Sequence, residues 1–169
     1  MRHPGFTVQD AVQDAVGAAG TIPDAFAFPS IHRIYAQSIT QSITQGKIIA
    51  KIEQAYRFAQ CEFGDLDRYQ LGRAREESMF LANSPLFDAE LMPDVCIDPY
   101  GEFTFSHRSN AGYVDIGVRG VGELSYHVRN DIDPDATRFD DYKWTTDYRI
   151  PMPLFQALQV LKQQLKQQL

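Results

Sequence analysis

The sequence predicts an α+β fold with a helical N-terminal half, a four-stranded antiparallel β-meander, and a C-terminal helix packed on the sheet. Two observations predict it. After Pro93 the spacing of apolar residues changes from the helical period of about 3.6 to the strand period of about 2. The period-two segments are joined by short glycine-bearing loops, as in hairpins. The 169 residues match the size of one domain, so we expect a single domain over residues 1–169.

Residues 1–92 are predicted to be mainly helical, because apolar residues recur there at helical spacing. The predicted segments are residues 8–16, a helix that begins at Ser30, a helix over residues 48–63, and one that begins near Asp67 and stops before Pro85. The tandem repeat QSITQSIT places Ile39 above Ile43 on one helix face, although its Ser and Thr residues also suit a strand. Gly46 is expected to end or kink this helix.

Residues 93–128 are predicted to form the meander. Apolar residues alternate with polar or small ones in four segments, at Val95 and Ile97, Phe103 and Phe105, Val114 to Val118, and Leu124 to Val128. The connections are too short for a crossover helix, which excludes parallel pairing. We expect one face of the sheet to be buried, including these side chains: Val95, Ile97, Val114, Ile116 and Val118.

Residues 129–150 are predicted to form a loop rich in acids and aromatics. Acidic and aromatic side chains interleave there, and tyrosine and tryptophan are common anchors of protein interfaces. The predicted partner-binding residues are Asp140, Asp141, Tyr142, Trp144 and Tyr148. Packing of Trp144 under its own loop is the alternative interpretation.

Residues 151–169 are predicted to form the C-terminal helix, with a leucine stripe facing the sheet. Leu154 to Leu161 should dock on the sheet, whereas Leu165 and Leu169 fray or meet a second copy. A homodimer is therefore an open prediction.

The polar face of the sheet carries a second candidate site, with Asp115, Ser125 and His127 as its ligand-facing residues. An ordinary solvated sheet face is the alternative. Strand parity places His107 and His127 on opposite faces, so the histidines do not predict a metal site. The sequence contains no recognisable catalytic motif and no cofactor-binding motif, so we predict no catalytic residues, no metal and no cofactor.

Charge and composition limit the class of partner. The chain has 22 acidic and 16 basic side chains and a formal net charge of -6, which disfavours direct nucleic-acid binding. The first thirty residues lack the apolar core of a signal peptide, and no apolar run is long enough to span a membrane. We therefore expect a cytoplasmic protein with no membrane partner. Cys61 and Cys96 are expected to be buried thiols.

The segment from Phe63 to Val128 resembles a group of small accessory proteins of bacteria and phages. In that group a helix with an apolar pair and a proline leads into a meander of the form P-D-V-x-I-D-P-x-G-E-x-x-F. The matching residues run from Pro93 to Phe105, after Phe80, Leu81 and Pro85. The resemblance implies the meander and an accessory protein whose gene can lie near toxin-antitoxin or defence loci. It implies no set of catalytic residues.

Three functional hypotheses follow from these observations. The first is a non-catalytic protein-interaction module, such as an inhibitor, an antitoxin-like protein or an anti-defence protein, that presents the acidic aromatic loop to a basic or mixed surface. The second is a small enzyme or ligand-binding domain that uses the polar sheet face, which a deep pocket there would favour. The third is an acidic nucleic-acid mimic, which requires acids that align in space.

Overall fold

The structure is a computed structural model that describes residues 31–144 and 149–167, with side chains described from residue 38 onward. Residues 35–169 belong to one compact unit. The helices are α1 (Ile31–Glu62), α2 (Arg68–Asn83) and α3 (Met152–Gln167), and the strands are β1 (Asp94–Ile97), β2 (Phe103–Ser109), β3 (Gly112–Val118), β4 (Glu123–Asn130) and β5 (Arg138–Lys143). A short 3-10 turn, Pro134–Ala136, precedes β5. The chain is thus α+β, as predicted. The segment 8–16 lies outside the described residues.

The five strands form one antiparallel sheet in the order β1-β2-β3-β4-β5. The prediction of four strands is wrong by one, because β5 lies inside the segment 129–150 that was predicted to be a loop. This edge strand carries two adjacent acids, Asp140 and Asp141, and five of its six residues are exposed. A strand exposed on both faces shows no apolar alternation in the sequence, which is why the pattern missed it.

Helix α1 is continuous where the sequence predicted two helices. Gly46 neither ends nor kinks it, and a Cβ placed there would meet no atom within 4 Å. The helical alternative for the QSITQSIT repeat is the one observed. Ile39 and Ile43 do not enter the core; they are 60% and 55% exposed.

The hydrophobic core lies between one face of the sheet and the helices. Its largest fully buried side chains are Phe87, Phe103, Phe105, Ile48, Ile52, Leu81, Leu86, Leu91, Ile116, Leu124, Leu154 and Leu158. The predicted burial of Val114, Ile116 and Val118 is confirmed, whereas Val95 and Ile97 are only partly buried because β1 is an edge strand. The two cysteines, predicted to be buried, are both exposed.

Helix α3 packs against β4 and β5, with Leu154, Leu158 and Leu161 buried in the core as predicted. Leu165, predicted to fray or to meet a second copy, is instead partly buried against the core, and Leu169 lies outside the described residues. Its Lys162 is 5% exposed and pairs with Asp88 at 2.9 Å, so a charge that would be costly when buried alone has a partner. Among the described residues, no helix is both long enough and apolar enough to cross a membrane.

Helix α2 is fastened to the turn that joins β3 and β4. The carboxylate of Glu77, 1% exposed, accepts a hydrogen bond from the Gly122 N–H at 3.2 Å and pairs with Arg73 at 3.1 Å. Gly120 in the same turn has φ +75, and a Cβ there would overlap the backbone of α2 at Gln70 and Ala74. The turn and the helix therefore make a backbone-to-backbone contact that only glycine permits.

Candidate functional site: an acidic groove on the polar face of the sheet

The face of the sheet opposite the core carries an open groove of about 320 Å³. The antiparallel register builds it: Asp115 pairs with His127, Ser125 with Asp141, and His127 with Phe139. Its lining comes from β2, β3, β4 and β5 and from Glu102 in the β1–β2 loop. The lining residues are Glu102, Thr104, Asp115, Gly117, Ser125, Tyr126, His127, Phe139, Asp140 and Asp141.

The groove unites residues from the two sites that the sequence predicted separately. Asp115, Ser125 and His127 line it together, and β5 brings Asp140 and Asp141 to the same place. By strand parity Asp141 lies on the polar face with Ser125, whereas Asp140 pairs with Tyr126 on the core face and borders the groove at the sheet edge.

The other predicted partner-binding residues do not lie in the groove. Tyr142 pairs with Leu124 and is partly buried against the core. Trp144 is only 7% exposed and meets the Phe80 ring edge-to-face at 5.9 Å, so the prediction of an exposed anchor there is replaced by the alternative of a packed side chain. Tyr148 lies outside the described residues.

A row of rings crosses the polar face beside the acids. The Tyr113 hydroxyl lies 2.5 Å from Nδ1 of His127, and their ring centroids are 4.8 Å apart. The Phe139 ring meets the His127 ring edge-to-face at 6.2 Å and is 79% exposed. At the far end the Arg129 guanidinium lies 4.9 Å from the Tyr113 centroid. At the groove, the row therefore ends in the solvent-exposed apolar ring of Phe139.

The sequence places Tyr113 on the polar face of the sheet and Phe139 in the acidic aromatic segment, but neither was among the predicted binding residues, and Glu102 was given no role in a site. Tyr113 has the same strand parity as Asp115, so the face was readable once the strand was assigned. Phe139 and Glu102 were not readable, because their placement depends on the unpredicted strand β5 and on a loop. The information that was lacking is the pairing of β5 with β4 and the position of the β1–β2 loop, which the sequence pattern does not show.

Gly117 creates space for two polar groups at the floor of the groove. A Cβ at this position would overlap Oε1 of Glu102 and would lie 2.5 Å from Oγ of Ser125. The absent side chain thus lets the Glu102 carboxylate and the Ser125 hydroxyl converge over β3. Glu102 is also paired with Arg119.

The groove is electrostatically one-sided. Among the described residues, it is lined by four acids and by no lysine or arginine. Within the described part of the chain, Asp115, Asp140 and Asp141 have no ion-pair partner. Burial between the strands raises the pKa of Asp115 above its ordinary value, the negative charge of Glu102 raises it further, and His127 opposes the shift. The fold therefore holds a carboxylate where its charge is unfavourable.

Replacing Asp115 by asparagine is expected to stabilise the fold at neutral pH. The pKa of Asp115 is higher in the folded protein than in the unfolded chain. Its ionised carboxylate therefore lowers the free energy of unfolding at pH values above the folded pKa, and this cost is lost as the pH falls through that pKa. Asp115→Asn should therefore raise the urea midpoint at pH 7, and the gain should disappear as the pH falls below about 3.9, the ordinary aspartate value. Asp65→Asn, at an exposed acid between α1 and α2, is the matched control. A lower midpoint for Asp115→Asn at pH 7 would contradict this account.

The geometry suits binding better than nucleophilic chemistry. The hydrogen bonds of His127 go to the Tyr113 hydroxyl, and none joins His127 to Ser125 or to Asp115. A serine nucleophile needs a base within hydrogen-bond reach. In the described residues, no cluster of three or more His, Cys, Asp or Glu side chains could hold a metal ion.

The chain matches no family model, no curated protein and no solved structure. The site is therefore interpreted from its own geometry and charge.

Proposed function

We propose that the protein is a non-catalytic interaction module that binds a cationic segment of another protein in the acidic groove. The observation that carries the proposal is the set of four acids in the groove, three of them without an ion-pair partner among the described residues, next to the exposed ring of Phe139. Its biological class, on this proposal, is that of an inhibitor, an antitoxin-like protein or an anti-defence protein of a bacterium or phage.

The groove offers a cation two kinds of contact. The unpaired carboxylates of Asp115 and Asp141 can accept charge-assisted hydrogen bonds from an ammonium or a guanidinium. The Phe139 ring can lie against the same cation, a contact worth about 0.5–1 kcal/mol at an exposed site. A planar guanidinium can satisfy both contacts at once, so arginine is favoured over lysine.

The acids also explain the choice of partner. Burial first, and the negative charge of Glu102 second, raise the pKa of Asp115, and a positive charge that enters the groove would offset both effects. Asp115 is therefore both a proposed contact of the cation and the acid whose charge the free protein disfavours. An excess of negative charge over the whole chain also steers basic partners toward the protein at low salt.

The two other hypotheses are less well supported. A small-molecule site or an enzyme on the polar face has a groove to use, but the groove is open and its His127 is committed to Tyr113. A nucleic-acid mimic requires a row of acids, whereas Asp140 and Asp141 alternate between the two faces of β5.

A binding titration with a short peptide of alternating arginine and serine tests the proposal. We expect saturable binding to the full chain, weaker binding of the lysine version, and none of the glutamate version. Asp141→Asn and Phe139→Ala should each raise the dissociation constant by about three- to tenfold, as expected for the loss of about 0.7–1.4 kcal/mol. Asp65→Asn should leave it unchanged.

Salt provides a second check on the same titration. Contacts between exposed charges weaken as the Debye length falls from about 10 Å at 0.1 M to about 3 Å at 1 M. If the arginine peptide binds equally well to wild-type protein and to Asp141→Asn, or binds as well in high salt, the groove is not the cation site.

A further inference from the structure

Helix α1 carries a narrow apolar stripe on the side that faces away from the core. The stripe consists of Ile39, Ile43, Gly46 and Ala50, all of them exposed. At about 100° per residue these four positions fall within about 60° of one another around the helix axis. The buried residue Ile48 lies on the opposite side of the same helix. Within the part of the chain that the structure describes, the stripe is therefore separate from the packing of α1.

We propose that this stripe pairs with the same stripe of a second copy of the chain, with the two α1 helices antiparallel. In that arrangement Ile39 lies opposite Ala50 of the other copy, and Ile43 lies opposite Gly46. Both pairs are centred on the same point, between Thr44 and Gln45. A single two-fold axis through that point therefore generates all the contacts.

The sizes of the side chains match in this arrangement. Each large side chain, Ile39 or Ile43, faces a small residue of the other copy, so isoleucine fills the space that glycine or alanine leaves. Gly46 has this space available, because a Cβ there meets no atom within 4 Å. A parallel arrangement would instead set isoleucine against isoleucine and glycine against glycine.

The charges around the stripe also favour a second copy. Residues 34–46 contain no charged side chain, so two such segments can approach without repulsion despite the net charge of -6. Lys47 flanks the stripe, and the antiparallel arrangement places it beside Ser42 of the other copy and away from the other Lys47. A strongly charged partner would find no complement on this surface.

The oligomeric state of the full chain, measured by light scattering over a range of concentrations, tests the pairing. Because the stripe is short, we expect a monomer at low concentration and a dimer at high concentration. The double variant Ile39→Lys with Ile43→Lys should be a monomer throughout and keep its helical circular dichroism signal. The matched control, Val121→Lys with Ile132→Lys, changes two equally exposed apolar residues elsewhere and should still dimerise.

A disulfide test fixes the orientation of the helices. In a background with Cys61→Ser and Cys96→Ser, the pair Ile39→Cys with Ala50→Cys should cross-link two copies, because these residues lie opposite each other. Ile39→Cys alone should not, since the two copies of residue 39 would be about 16 Å apart along the helices, beyond the roughly 7 Å that a disulfide can span. A monomer at every concentration, dimerisation of the double-lysine variant, or efficient cross-linking of Ile39→Cys alone would overturn the proposal.

Discussion

Gly120→Ala is expected to destabilise the folded protein by about 3 kcal/mol or more. Two costs add at this position. Alanine is strained at a φ of +75, and its Cβ would overlap the backbone of α2 at Gln70 and Ala74, which cannot move aside as a flexible side chain could. The free energy of unfolding, measured by urea titration, checks the prediction.

Gly72→Ala is the matched control, since this glycine lies within α2 and a Cβ there meets nothing within 4 Å. Alanine is favoured over glycine in a helix interior by up to about 1 kcal/mol, so this variant should be more stable than wild type. Equal stability of Gly120→Ala and wild type would show that the turn does not pack against α2 as described.

Trp144→Ala is expected to cost about 3–5 kcal/mol of stability, the usual range for truncating a large buried aromatic. The indole is 7% exposed and contacts the Phe80 ring, and this packing is lost in alanine. The backbone N–H of Trp144, which alanine keeps, donates to the Gly122 carbonyl at 2.7 Å. The residue thus fastens the end of β5 to the β3–β4 turn. Thermal and urea unfolding measure the loss.

The folded fraction of Trp144→Ala should still bind the arginine peptide, because Trp144 does not line the groove. Trp144→Phe, which keeps a ring against Phe80, should recover part of the stability. If Trp144→Ala unfolds like wild type but no longer binds the peptide, Trp144 is an interface residue and its structural assignment is wrong.

The central part of the sheet was predictable from the sequence because each inner strand has one buried face. The alternation in Phe103 to Phe105, Val114 to Val118 and Leu124 to Val128 is a direct consequence of that one-sided burial. The C-terminal helix was predictable for the same reason, since its leucines face the sheet.

Strand β5 was not predictable from the sequence. It has no buried face of its own, and the hydrogen bonds to β4 that define it leave no trace in residue type. The continuity of α1 through Gly46 was missed for a related reason, since one glycine costs a long helix only about 1 kcal/mol.

Part of the candidate site could be predicted from the sequence. Asp115, Ser125 and His127 could be placed on one face by parity alone, and Asp140 and Asp141 were noted for their charge. That these two sets meet in one groove depends on β5 folding back beside β4. Burial of Trp144 likewise depends on α2, which is distant in sequence.

The central claim is that the acidic groove is where a cationic partner binds, and mapping the bound peptide by NMR tests it most directly. Titration of isotopically labelled protein with the arginine–serine peptide should shift the amide signals of Asp115, Ser125, His127, Phe139 and Asp141. The signals of α1 and α3, on the other face of the sheet, should stay in place. Shifts that cluster on the helices, or no shifts at all, would contradict the account.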